Sequence, residues 1–241
     1  MSALALRIFA CVCMLLDHIG YCMHDMSLRY IGRLAFPIFI FLMVNGFRHS
    51  KSRLRYAGRF ALFALLSQIP FSLLCYGELR LDHWNVMVTL LLGLAVIWLG
   101  ELLRKAPKGK IFCLFPAMLS YFACYFGYIR TDHGEKGILF AVIFWLLDGK
   151  YLWICLCSVL TVMQEHLFSC ILHLFFGNAI HIPDQWDLIQ LLSLLSLPFL
   201  FSYNGQAGNL PRSAFWKKVL QLGFYIFYPL HMLLLWLLLG T

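Results

Sequence analysis

Charge is scarce in this 241-residue chain: only 12% of the residues are Asp, Glu, Lys or Arg, against 62% hydrophobic, and the mean hydropathy is +0.80. A water-soluble core cannot absorb so much apolar surface, which excludes a soluble enzyme and leaves an integral membrane protein. Acidic or basic tails, low-complexity stretches and internal repeats are also missing, so a scaffold or solenoid is not expected. The nine cysteines include no C-x-x-C spacing, and neither a zinc site nor a dithiol redox pair is assigned. Cys11, Cys13, Cys155 and Cys157 fall inside apolar runs and read as small hydrophobes. The first apolar run lacks a small-residue cleavage pattern and carries Asp17, so it reads as a retained helix rather than a signal peptide.

Apolar runs of about the length that crosses a hydrocarbon layer fill the rest. They cover residues 4–23, 28–47, 60–76, 86–103, 111–128, 137–147, 151–163, 167–180, 188–203 and 219–239. The expected fold is an all-α polytopic membrane protein, with about ten transmembrane helices in one bundle over residues 1–241. The net charge of +8 does not indicate nucleic acid, because the basic residues gather in two short loops, 48–59 and 104–110. By the positive-inside tendency those loops, containing Arg53 and Lys108, lie in the cytoplasm with the N-terminus, while Glu78 and Glu135 lie outside. Ten crossings would leave Arg212, Lys217 and Lys218 outside, against the same tendency.

Within the first run, Arg7 and the pair Asp17-His18 are ionisable groups at membrane depth. Each such group costs on the order of 3 kcal/mol on insertion scales, so it usually faces a bundle interior or a wet cavity. Eleven helical steps bring His18 back onto the face of Arg7, roughly 16 Å along the axis. The competing reading has Arg7 snorkelling to one interface while Asp17-His18 ends the helix at the other. Asp17 projects about 100° from His18, which leaves it free either to orient a neighbour or to pair with Arg33.

Further along, Pro37 interrupts the second run just after Arg33, and Ser67-Gln68-Ile69-Pro70 is a polar break in the third. Arg55 and Arg59, four apart, can hold a phosphate-rich ligand together, or else serve as topology charges near lipid head groups. In the last run Tyr225, Tyr228 and His231 recur every three residues near Pro229 and offer hydrogen bonds to a ligand or to the first helix.

Asp17-His18-Ile19-Gly20, Gly32 to Pro37 through Gly46-Phe47, Arg55 to Arg59 and Phe224 to His231 together resemble the TraX family, within the broader acyltransferase-three superfamily of membrane proteins. The resemblance covers nearly the whole chain. It implies transfer of an acyl group, acetyl above all, from cytoplasmic acyl-CoA to an amine or hydroxyl across the plasma (inner) membrane. The acceptor would be a pilin-like peptide amine, a glycan or a small molecule. No permanently bound cofactor is implied: acetyl-CoA or another acyl-CoA is a co-substrate, the lipid bilayer the surroundings, and nucleic acid no partner. His18 would be the general base or transient acyl carrier, assisted by Asp17, and histidine is the side chain whose ordinary pKa suits that work. Arg7, Arg55 and Arg59 would meet the donor, with Arg33, Asn45, Gln68, Tyr228 and His231 supporting the acceptor side. Where the family pattern usually has acidic residues this chain has Asn45, Gln68 and Ser72, which implies an altered choice of acceptor. Two other classes compete: a transporter or flippase, from the broken helices and intramembrane charge, and a non-catalytic assembly partner whose polar residues join helices.

Overall fold

The computed structural model describes residues 1–106, 109–177, 182, 185–209, 211 and 213–240, excepting the side chains of 110, 111, 185–187 and 214. Lys108 and Arg212, two of the topology charges, lie outside the described residues. Four helices begin where the sequence supplies a side-chain cap. Ser2 opens α1 (Ala3–Cys22), Asp25 opens α2 (Met26–Gly32), Ser52 opens α4 (Arg53–Tyr76) and Asn85 opens α5 (Val86–Arg104), each side-chain oxygen accepting an orphan N–H of the first turn. Between α2 and α3 (Ala35–His49) the chain breaks at Arg33-Leu34. Pro37, in the first turn of α3, has no N–H to return to the Arg33 carbonyl, so the helix restarts there rather than running through.

Short helices fill the middle of the chain: α6 (Gly109–Phe112), α7 (Phe115–Tyr125), α8 (Gly134–Leu146), α9 (Tyr151–Val162), α10 (Gln164–Phe176), α11 (Gln185–Leu191) and, after a 3₁₀ turn at Leu192–Ser196, α12 (Leu197–Phe201). The chain ends with α13 (Ala214–Leu239), which contains Pro229. Among the described residues the fold is all-helical, and the expected ten spans are corrected. Five helices or fused pairs are long and apolar enough to cross a membrane: α1, α2 with α3, α4, α5 and α13. A sixth appears only if α9 and α10, bent by 68°, count as one. Apolar composition misleads here because α7, α8 and α9 have 11, 13 and 12 residues, about 17–20 Å of helix against a hydrocarbon thickness of roughly 30 Å.

One continuous buried cluster draws Leu6 and Met14 of α1, Met43 of α3, Phe63 of α4, Leu94 of α5, Phe140 of α8 and Met232 of α13 together. Between helices in lipid the gain comes from close packing more than from the hydrophobic effect, and small residues permit it. Gly93 of α5 shows this: a Cβ there would sit 3.0 Å from the Ala141 Cβ of α8, so the two backbones approach as closely as side chains allow.

Helix direction also changes the charge map. Arg7 lies over the Phe224 ring at 5.8 Å, and His18 contacts His231, so α1 and α13 run the same way. Lys217 and Lys218 therefore sit at the N-terminal end of the bundle with Arg48, Arg53 and Arg104, and the conflict foreseen for these lysines disappears. Glu78 follows the opposite end of the 24-residue α4. Single-cysteine labelling in a background without reactive cysteines should place positions 53 and 217 on one side of the membrane and 78 on the other. Labelling of 217 together with 78 would show that α13 runs the other way.

Candidate functional site

On α1, Arg7, Met14 and His18 fall at i, i+7 and i+11, and this one face lines two adjoining cavities. The larger, about 300 Å³, lies toward the N-terminal end and is bordered by Arg7, Arg59, His49, Tyr56, Gln221 and Tyr225 among others. Its chemistry is mixed, with an apolar wall of Phe60, Leu42 and Phe224 and two guanidinium groups, each also resting on an aromatic ring. The smaller, about 60 Å³, lies toward the far end and collects Asp17, His18, Arg33, Asp132, His133 and Lys136.

Side chains distant in sequence assemble the far cavity. Gln68, 3% exposed, donates its amide to the carbonyl oxygens of Arg80 (3.0 Å) and His83 (2.8 Å), and its Oε1 accepts from the backbone N–H and side chain of Asn85. Ser72 also donates to the Arg80 carbonyl, at 2.9 Å. The loop so held pairs at Trp84 with the next far loop: Trp84 N–H donates to Arg130 O at 2.8 Å and Asp132 N–H to Trp84 O at 3.0 Å. That pairing sets Asp132 and His133 at the cavity, with the His133 ring stacked 3.5 Å from Phe36. Burial pushes the His133 imidazole below its ordinary pKa, and the neighbouring Asp132 carboxylate only partly opposes it.

Asp17 accepts hydrogen bonds from Arg33 Nη2 on both oxygens, at 2.5 and 2.6 Å, and Arg29 Nε lies 3.7 Å away. Gly32 makes this possible, since any Cβ there would collide with the Asp17 side chain. Of the two roles left open for Asp17, pairing with Arg33 is the one the geometry adopts. The His18 ring turns the other way. His231 Nδ1–H donates to the Phe227 carbonyl at 2.6 Å, as the only acceptor role there belongs to the carbonyl, so His231 Nε2 is bare. His18 Nδ1–H then donates to that Nε2, also at 2.6 Å, and this bonding pattern assigns the unprotonated nitrogen of His18 to Nε2.

Four residues, Met14, Phe39, Val86 and Tyr228, line both cavities and form the wall between them. Tyr228 is buried, with its ring centroid 6.4 Å from that of His18. Of the residues singled out from sequence, Arg7, Arg59, Tyr225 and Tyr228 reach the larger cavity, and Asp17, His18, Arg33 and Tyr228 the smaller. His231 stands behind His18. Arg55, expected beside Arg59, is exposed in the first turn of α4 and does not line the cavity, because that turn lies beyond the mouth. Asn45 donates to the Tyr203 hydroxyl at 2.9 Å, away from both cavities. Gln68 and Ser72 brace the far loop instead of facing an acceptor; an ionised carboxylate at 68 could accept but not donate, and would confront two carbonyls. Sequence reading missed Tyr56, Asp132, His133, Lys136, Gln190 and Ser193. The faint signal was the polar 130–136 loop, whose balanced charge looks like any extramembrane connection.

A polytopic helical membrane protein with paired cavities beside a His-His-Tyr group is the class that these features define. The chain belongs to the TraX family: the family described as "TraX protein" matches residues 2–239. It is 29% identical over 257 residues to the probable fimbrial assembly protein FimC, serogroup H1, of Dichelobacter nodosus, covering 97% of this chain and 94% of that one. No solved structure matches.

Proposed function

We propose that this protein is an acyl-CoA-dependent acyltransferase of the plasma (inner) membrane, moving an acyl group, acetyl above all, from a cytoplasmic donor to an amine or hydroxyl on the other side. The observation that carries this reading is the pair of cavities sharing one wall, with the bare Nε2 of His18 on the face that borders them. A donor whose acyl thioester must reach the membrane interior needs a deep apolar slot with cations at its mouth, and the 300 Å³ cavity with Arg7 and Arg59 fits that need. The basic residues gathered at that end favour a cytoplasmic donor side by the positive-inside tendency. The smaller cavity admits only the reacting end of an acceptor, consistent with a peptide amine projecting from a larger substrate. FimC's name associates that relative with fimbrial assembly, and a pilin-like peptide is accordingly the first acceptor to try.

His18 can serve as general base, taking the acceptor's proton as it attacks the thioester, or as nucleophile carrying the acyl group across the wall. Both uses need the nitrogen that the His231 contact leaves bare. The test is incubation of purified protein with labelled acetyl-CoA, followed by measurement of bound label, hydrolysis and label transferred to a peptide amine. Wild-type protein that binds no donor and releases no label would end the proposal; flux of an intact solute without acylated product would identify a transporter. In the same assay Arg59→Gln should weaken donor binding roughly threefold to fivefold at low salt and less at high salt, the scale of an exposed ion pair under screening. Arg55→Gln should have the smaller effect, and equal losses would place the phosphates outside the cavity mouth.

A further inference from the structure

The wall between the cavities contributes two groups able to donate a hydrogen bond, the Tyr228 hydroxyl and the Val86 backbone N–H. Tyr228 is 4% exposed, and its buried O–H donates no hydrogen bond among the described residues. A buried phenol of that kind calls for an explanation. Val86 is the first residue of α5, a helix of 19 residues, and a first-turn N–H has no partner within its own helix. Asn85 satisfies the next two, its side chain accepting from Met87 N–H and its carbonyl from Val88 N–H, both at 3.0 Å. The Val86 N–H is left over, within reach of the Tyr228 oxygen. The positive end of the α5 dipole points at the same place.

Resting on the acyl-transfer reading, we infer that Tyr228 O–H and Val86 N–H form an oxyanion hole set in the wall between the donor and acceptor cavities. The thioester carbonyl oxygen lies against these two donors, with its carbon toward His18. As the acceptor nitrogen or oxygen bonds to that carbon, its proton passes to His18 Nε2, and the carbonyl π pair moves onto oxygen as an alkoxide. Both donors face that charge, which exists only in the tetrahedral species, so they favour the transition state over the bound ester. Collapse restores the C=O bond, breaks the C–S bond, and sends the proton from His18 to the departing CoA thiolate. The histidine pair ends as it began.

The experiment measures single-turnover transfer from radiolabelled acetyl-CoA to a short peptide with a free amine, and to water, by protein in proteoliposomes, alongside the Kd for acetyl-CoA. Tyr228→Phe, which keeps the ring and its packing, should slow transfer about 100-fold to 1000-fold, the scale for one oxyanion donor, with Kd changed less than twofold. Val86→Pro deletes the N–H at a position where proline suits a helix start, and should slow transfer similarly. Val86→Ala, which loses the same packing and keeps the N–H, should slow transfer at least about tenfold less than Val86→Pro does. Near-wild-type transfer by Tyr228→Phe, or equal slowing by Val86→Ala and Val86→Pro, would overturn the oxyanion hole and leave the transferase reading standing. A wild type that moves no label to peptide or water would remove both.

Discussion

His18→Ala, reconstituted in proteoliposomes with labelled acetyl-CoA on the N-terminal side, should bind donor with wild-type affinity and transfer the label at least about 100-fold more slowly, the usual scale of a lost general base. Binding is spared because the guanidinium groups and apolar wall of the larger cavity do not include His18. Folding is spared because His18 is only partly buried and the side chain it hydrogen-bonds among the described residues, His231, keeps its bond to the Phe227 carbonyl. His231→Phe probes the relay from behind. It removes the acceptor that holds the His18 Nδ1 proton, so the wrong tautomer becomes populated, and the rate should fall while donor Kd does not move. His231→Gln presents an amide oxygen to the same N–H and should restore part of the rate that Phe loses. Near-wild-type transfer by His18→Ala would end the catalytic assignment, and equal rates for the Phe and Gln variants would remove His231 as a positioning residue.

The helix that matters most was legible from sequence because its signal is local: Arg7 and His18 share a face by arithmetic of the α-helical repeat, and the two cavities open along that face. The break near Pro37 and the final Tyr-Pro-Leu-His segment were visible for the same reason. What could not be read is non-local. Asp132 and His133 come to Asp17 and Phe36 only because Gln68 and Asn85 fix one far loop and Trp84 ties it to the next, and no spacing of residues announces such a chain of contacts. Gln68 gave no sign of its partners: a polar residue in an apolar run looks like a ligand contact or a support, and only its two carbonyl partners show it to be a brace. The helix count failed because hydropathy registers that a segment avoids water, and not whether its length spans the bilayer or stops partway against α5 and α8.

Asp17→Asn should cost more in stability than in chemistry, which separates the two residues of the Asp-His pair. The carboxylate is 16% exposed and its main partner Arg33 10%, with Arg29 at 3.7 Å on the same side. Neutralising Asp17 leaves the Arg33 guanidinium at a poorly solvated place without the carboxylate that pairs with it, and breaking a buried pair from one side typically costs about 3–5 kcal/mol. For a chain of this length that corresponds to a fall in Tm on the order of 10 °C, together with less protein accumulating in the membrane. Arg33→Gln in the same background removes the larger part of the uncompensated charge, so the double variant should regain most of the loss, giving a coupling on the order of 2 kcal/mol or more between the two sites. His18, whose ring takes no part in the ion pair, should keep its contact with His231 throughout, so the double variant that folds should also transfer label at a rate within about tenfold of wild type. Thermal unfolding of wild type, Asp17→Asn, Arg33→Gln and the double variant in detergent, followed by single-turnover transfer on those that survive, distinguishes the cases. An Asp17→Asn protein as stable as wild type but inactive would assign the carboxylate to the reaction itself, and the ion pair with Arg33 would then be incidental.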